Sequence, residues 1–123
     1  MSNKHKKILI IEDEKPIARA LELKLTYEGF ETTVTFDGES ALKKSEKETF
    51  DLILCDLVMP KVDGFKVLEA IKNKKVATPV MVLTNLGQQD DEERARSLGA
   101  REFFIKADTP IADIVKRITQ FLK

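Results

Sequence analysis

The sequence predicts an α/β sandwich in which one five-stranded parallel sheet is covered by helices on both faces. Three observations carry that prediction. Short, wholly apolar runs such as Ile8-Leu9-Ile10-Ile11 and Leu52-Ile53-Leu54-Cys55 read as strands buried on both faces, which is the habit of parallel sheets. Each run gives way to a breaker and then to a segment with helical apolar spacing. The alternation recurs along the whole chain as five strand–helix units. Right-handed crossovers then leave a doubly wound, three-layer α/β/α arrangement, with strand order 2-1-3-4-5 as the leading solution.

The first strand covers Lys7 to Ile11 and runs into Glu12-Asp13-Glu14. Pro16 suits the first turn of the helix that follows, where Ile17, Ala20, Leu21 and Leu25 share a face and Gly29 stops it. Glu31 to Phe36 alternates Thr and Val with polar residues and belongs near a sheet edge. Asp37 is placed to cap a helix over Ser40 to Glu48, whose thin apolar face is Ala41 and Leu42. The third strand ends on Asp56. Lys61-Val62-Asp63-Gly64 then turns into a helix that faces Phe65, Leu68 and Ile71 inward.

Thr78-Pro79 opens the fourth strand, Val80 to Leu83, which ends on Thr84-Asn85. The helix from Gln88 to Ser97 is mostly charged, with Ala95 and Leu98 as its apolar anchors, and is predicted to be the least firmly docked. Gly99-Ala100 ends it, and the strand Glu102 to Ile105 delivers Lys106. Thr109 reads as an N-cap with Pro110 at the first helical position. Ile111, Ile114, Val115, Ile118 and Phe121/Leu122 then form the cleanest helical stripe.

Bulk composition narrows the function. A chain of 123 residues with 42% hydrophobic and 34% charged content suits one globular domain, residues 1–123, with residues 1–5 as a basic N-terminal tail. Lys+Arg and Asp+Glu are equal at 21 each, so no electrostatic case arises for nucleic acid or an anionic membrane as direct partner. A single cysteine, Cys55, excludes an internal disulfide and any CxxC site, and its place in an apolar run makes it a core residue. The one histidine, His5, lies in the tail, which removes histidine-based catalysis. No apolar run approaches a membrane span and no signal peptide is visible, so the cytoplasm is the expected compartment.

In a parallel sheet every strand ends on the same edge. The residues delivered there are Glu12 and Asp13, Asp56, Thr84 and Lys106, and in the order 2-1-3-4-5 their strands are consecutive neighbours about 4.8 Å apart. Three carboxylates at that spacing repel by roughly 1 to 4 kcal/mol per pair, a repulsion relieved by protonation, by Lys106 or by a cation. An all-oxygen donor set suits a hard ion such as Mg²⁺. A carboxylate nucleophile, a divalent ion, a hydroxyl and a lysine together suit phosphoryl transfer to Asp56. No GxxxxGK[ST] loop is present, so a nucleotide is not bound by that route.

With those residues in view, the chain resembles the receiver domain of two-component response regulators, a flavodoxin-like fold, over about Lys6 to Leu122. The motifs that carry the resemblance are Glu12-Asp13, Leu54-Cys55-Asp56-Leu57-Val58-Met59-Pro60 with Asp63-Gly64, Leu83-Thr84, Gly99-Ala100, and Phe103 three residues before Lys106. The resemblance implies that Asp56 accepts a phosphoryl group from a histidine kinase or histidine phosphotransfer protein. It implies that Asp13, Asp56 and the backbone carbonyl of Val58 bind Mg²⁺, with Glu12 acting through water, and that Thr84 and Lys106 contact the phosphoryl oxygens. It further implies a switch in which Thr84 moves toward the phosphate and Phe103 swings inward, remodelling the face of the fourth helix, fifth strand and fifth helix. Such a domain takes part in its own phosphorylation and dephosphorylation without being an enzyme on other substrates.

Departures from the family pattern set further expectations. Glu12 stands where aspartate is commoner. Ala107 follows Lys106 where these domains carry a cis proline, so the loop is either a cis bond costing about 3 kcal/mol or rebuilt as trans, and Lys106 is expected to be the least anchored part of the site. Val58 and Leu86 are apolar at positions that tune hydrolysis, which predicts slow decay of the phosphorylated form. The chain ends just after its last helix, so it reads as a stand-alone regulator or the N-terminal part of a longer one, with its downstream target unknown. Two enzyme-like or cofactor-binding alternatives fare worse. A haloacid-dehalogenase-type phosphatase needs an acid where Val58 stands, and a flavin-binding relative of flavodoxin is opposed by the acidic edge. The third alternative, a receiver-fold binding module that is not phosphorylated, rests on Ala107.

Overall fold

Along a strand, side chains alternate between faces, so an uninterrupted apolar run is stable only where both faces are covered. The computed structural model of the chain, which describes residues 6–74 and 78–123, forms its core in that way. Strands β1 (Lys7–Ile11), β2 (Glu31–Thr35), β3 (Leu52–Cys55), β4 (Val80–Thr84) and β5 (Ala100–Ile105) alternate with helices α1 (Lys15–Tyr27), α2 (Gly38–Lys47), α3 (Gly64–Asn73), α4 (Gln89–Ser97) and α5 (Ile111–Phe121). All strand pairings are parallel, in the order β2-β1-β3-β4-β5. The expected fold class and strand order are those observed. The basic arm containing Lys4 and His5 lies outside the described residues.

Alternation divides the interior into two cores. Ile8, Ile10, Leu52, Leu54, Met81 and Leu83 pack with Leu21 and Leu25 of α1 and Ile114 and Ile118 of α5. Leu9, Ile11, Ile53, Cys55, Val80 and Val82 face the other way, toward Ala41 of α2, Phe65 and Leu68 of α3, and Ala95 of α4. As expected, α4 is thinly docked: Ala95 is its one buried residue, with half-buried Leu98 packed beside it. No helix among the described residues is long and apolar enough to cross a membrane.

Four local expectations need correction. On α1 the buried alanine is Ala18, whereas Ala20 is only half-buried. Thr109 does not cap α5. Pro110 occupies that position with extended backbone, and its carbonyl accepts from the N–H groups of Asp113 and Ile114 at 3.0 and 3.2 Å. The helix therefore begins one residue later, at Ile111. Phe121 is 40% exposed and lies beside the Arg101 guanidinium, leaving Leu122 to close the stripe. Finally, β5 starts at Ala100 and carries an irregularity: Val80 pairs with Ala100 but Met81 with Glu102, so Arg101 is skipped. That extra residue sets the phase beyond it. Phe103 falls opposite Val82 and packs toward the α2–α3–α4 core, while Phe104 enters the α1–α5 core.

The turn from β3 to α3 is packed backbone to backbone. Asp63 caps α3, its carboxylate accepting from Lys66 N–H at 3.0 Å, and Gly64 N–H donates to the Leu57 carbonyl at 3.0 Å. A Cβ on Gly64 would stand 2.2 Å from the Asp56 carbonyl oxygen and 2.5 Å from Leu57 Cα. Lys61, just before, takes a left-handed conformation at φ 69° that non-glycine residues rarely adopt. Gly99 is different: its φ of +105° requires glycine, but nothing lies within 4 Å of an added Cβ. Urea unfolding separates the two cases. Gly99→Ala is expected to lose about 1 kcal/mol through backbone strain alone. Gly64→Ala is expected to lose about 1–3 kcal/mol or more, because neither clashing partner is a side chain that can move aside.

Candidate functional site

Backbone bonds continue past the strand ends and fix where the polar residues emerge. Glu12 N–H donates to the Thr35 carbonyl at 3.0 Å, Asp56 N–H to Ile11 at 3.0 Å, and Lys106 N–H to Thr84 at 2.8 Å. Three side chains from three different strands thus reach one small volume. Glu12, Asp13 and Asp56 each offer a carboxylate oxygen within 4.8 Å of the others. Glu12 and Asp56 are 2% and 3% exposed.

Two ionised carboxylates buried this deeply require compensation. Lys106 supplies it from β5. Its side chain is 7% exposed, and Nζ donates to Asp56 Oδ2 at 2.8 Å and to the Glu12 carboxylate at 3.0 Å. A third bond, 2.6 Å long, goes to Glu14 Oε2. The Lys106–Ala107 peptide is trans, since no cis bond occurs among the described residues. The rebuilt loop does not release the lysine. Charge anchors it where the sequence expectation left it loose.

The remaining partners fix the acids. Glu12 also accepts from Glu14 N–H at 2.9 Å, and Asp56 Oδ1 accepts from Val58 N–H at 3.1 Å. Burial pushes the Glu12 carboxyl up to about 7; the Asp56 charge adds to the rise, while the Glu14 N–H and Lys106 oppose it. For Lys106, burial disfavours the ammonium, but the bonds to Asp56, Glu14 and Glu12 outweigh it and hold its pKa above the ordinary lysine value. Burial, helped by the Asp56 and Glu12 charges, pushes the Cys55 thiol up as well, so it remains an unreactive core group.

Thr84 is fully buried, and its hydroxyl accepts from Leu86 N–H at 3.3 Å, a long bond that is cheap to exchange. Phe103 is half-buried beneath the site. It lies two residues before Ile105, the register partner of Thr84, so both belong to the sheet face that α4 covers. Val58 lies at the mouth and is 54% exposed. The structure therefore gathers Glu12, Asp13, Asp56 and Lys106 into one cluster, with Thr84 on the adjoining strand end and Phe103 set back from it. Glu14 is the participant that sequence reasoning passed over. Its only signal was continuing the acidic run after Ile11.

Lys106 bonds three carboxylates and Asp13 lies beside two of them, which leaves an acidic surplus. The donor atoms are all carboxylate oxygens, and the two buried ones already face each other, so the residues fit a hard divalent cation.

The family model described as "Response regulator receiver domain" matches residues 8–119. The alkaline phosphatase synthesis transcriptional regulatory protein PhoP of Bacillus subtilis is 36% identical over 106 residues, covering 86% of this chain and 44% of its own. The response regulator ArlR of Staphylococcus saprophyticus is 32% identical over 117 residues, covering 95% and 52%. The chain thus spans about half the length of these relatives. Among solved structures, a Francisella response regulator receiver domain superimposes with TM-score 0.89 at 28% identity, covering 96% of this chain and 97% of that one. The Thermotoga maritima response regulator protein TrrA, in complex with Mg²⁺ and BeF, does so with TM-score 0.82 at 30% identity, covering 96% and 99%.

The Glu12 carboxyl gives the site a pH signature. Its folded-state pKa lies above the ordinary value of 4.5, so between pH 4.5 and about 7 the folded chain holds a proton that the unfolded chain has lost. Stability of the metal-free protein is therefore expected to fall across that window, by on the order of 1–3 kcal/mol from this group, and then to level off. Glu12→Gln should flatten the profile and raise the melting temperature at pH 8. Thermal unfolding from pH 4.5 to 8 without divalent ions checks both.

Proposed function

The chain belongs to the response regulator receiver domain family, and from that premise we propose that Asp56 is its phosphoacceptor. Receiver domains are phosphoacceptor signalling domains, and the observation that supports this assignment is a buried aspartate at a strand end with a lysine ammonium 2.8 Å from its carboxylate. Asp56 is oriented before any donor arrives: Val58 N–H holds Oδ1 and Lys106 holds Oδ2. In the reaction, one Asp56 oxygen forms a bond to phosphorus as the bond to the donor breaks, and the donor group leaves with the electron pair. The donor is a histidine kinase or histidine phosphotransfer protein.

Each neighbouring residue has a defined part. Lys106 turns its ammonium from a carboxylate to a phosphoryl oxygen. Thr84 exchanges its 3.3 Å bond from Leu86 N–H for one to the phosphoryl group. Glu12, Asp13, Asp56 and the Val58 carbonyl would hold Mg²⁺, which when bound neutralises charge on the transferring group. Phe103 follows Thr84 on the α4-facing side of the sheet, so the α4–β5–α5 face is the output surface.

Mass spectrometry after incubation with Mg²⁺ and acetyl phosphate tests the assignment. A single phosphoryl adduct is expected, absent in Asp56→Ala and absent when Mg²⁺ is chelated. An unmodified wild type, or an adduct that survives Asp56→Ala, would overturn it. The phosphorylated form is also expected to be long-lived, because Val58 and Leu86 offer no side-chain group to orient an attacking water. Val58→Asn, which supplies one, should shorten its half-life severalfold.

A further inference from the structure

Lysine has three N–H donors and no acceptor. In this site all three are taken, by Asp56 at 2.8 Å, Glu12 at 3.0 Å and Glu14 at 2.6 Å. A phosphoryl oxygen can reach the ammonium only by displacing one of them. The three are not equally replaceable. Asp56 is itself the acceptor. Glu12 is buried and held a second time by Glu14 N–H, so even where a bound Mg²⁺ would balance its charge it cannot leave for solvent. Glu14 is nearly half exposed, with its side chain at 48%, and on leaving it is resolvated by water.

Glu14 also sits at the N-cap position of α1, where a side chain ordinarily accepts from the first-turn N–H groups; it makes no such bond. Its carboxylate turns back across the mouth to a residue 92 positions away. Resting on the assignment of Asp56 as phosphoacceptor, we infer that Glu14 is a guard residue. It occupies the lysine position that the phosphoryl group must take, and its negative charge repels the incoming anion. Glu14 is thus a positioning residue that acts through Lys106. The sequence of events is an exchange: the Lys106–Glu14 bond opens, the phosphoryl oxygen takes its place, and Glu14 swings into solvent.

This account separates two effects that one substitution would merge. Glu14→Gln removes the charge. Glu14→Asp keeps the charge but shortens the arm by one methylene, which lengthens or breaks the 2.6 Å contact. The experiment titrates acetyl phosphate against wild type and both variants at saturating Mg²⁺, with thermal unfolding as the check on folding. Glu14→Gln is expected to lower the half-saturating donor concentration by about three- to tenfold, with a smaller change in the maximal rate. Glu14→Asp is expected to move in the same direction by a smaller factor. Beryllofluoride, which mimics the phosphoryl group without any donor, should bind Glu14→Gln more tightly by a similar factor. Folded variants with wild-type half-saturation and beryllofluoride affinity would overturn the guard role while leaving Asp56 as acceptor. Failure of the wild type itself to react or to bind beryllofluoride would instead overturn the phosphoacceptor assignment, and the guard role with it.

Discussion

Glu12 and Asp56 are carboxylates buried to within a few per cent, and they share one ammonium. An unpartnered charge at that depth costs several kcal/mol, so the position of Lys106 is a condition of the fold as well as of the site. Much else follows from it. Lys106 must arrive from β5, which requires β5 to hold its register on β4 up to the bond from Lys106 N–H to the Thr84 carbonyl. The loop beyond must let the side chain turn inward. It does so with alanine at position 107 and a trans peptide, because three carboxylates outweigh whatever freedom the loop has. One ammonium cannot neutralise four acids, and the surplus is what makes the strand edge receptive to a cation.

The two faces of the sheet do different work. The α1–α5 side is closed by large aliphatic residues, including Leu21, Leu25, Ile114 and Ile118. On the opposite side, α4 contributes one buried alanine and an acidic first turn of Asp90, Asp91 and Glu92. A polar tie compensates in part: the Arg94 guanidinium lies 4.1 Å from the centre of the Phe65 ring, joining α4 to α3. An element held by few apolar contacts and a cation–π pair can shift without opening the core. Thr84 and Phe103 occupy the sheet face beneath that element.

Much of this was legible in the residues. The wholly apolar strands announced a doubly covered sheet, and the polar residues at their ends announced a shared edge. Asp56 and Lys106 could be read because each directly follows a strand. What escaped reading depends on distances between parts of the chain far apart in sequence. Glu14 looked like one more acid at a helix start; its partner is chosen by the path of a lysine from β5. Ala107 suggested a loosened lysine, since sequence shows the missing proline but not the three carboxylates waiting for the ammonium. The skipped Arg101 was equally silent, because either of two adjacent phenylalanines fits an apolar pattern and only the pairing with β4 decides which one faces α4. Thr109 and Pro110 were placed one residue out, an error that a Thr-Pro step invites when the carbonyl of proline itself serves as the cap.

The contact between Gly64 and the backbone of Asp56 and Leu57 has a mechanical consequence. The first turn of α3 stands behind the acceptor loop like a stop behind a latch, with no side chain between them to compress. A methyl group at position 64 would wedge the two apart, so its absence is what lets the helix and the loop bear directly on each other.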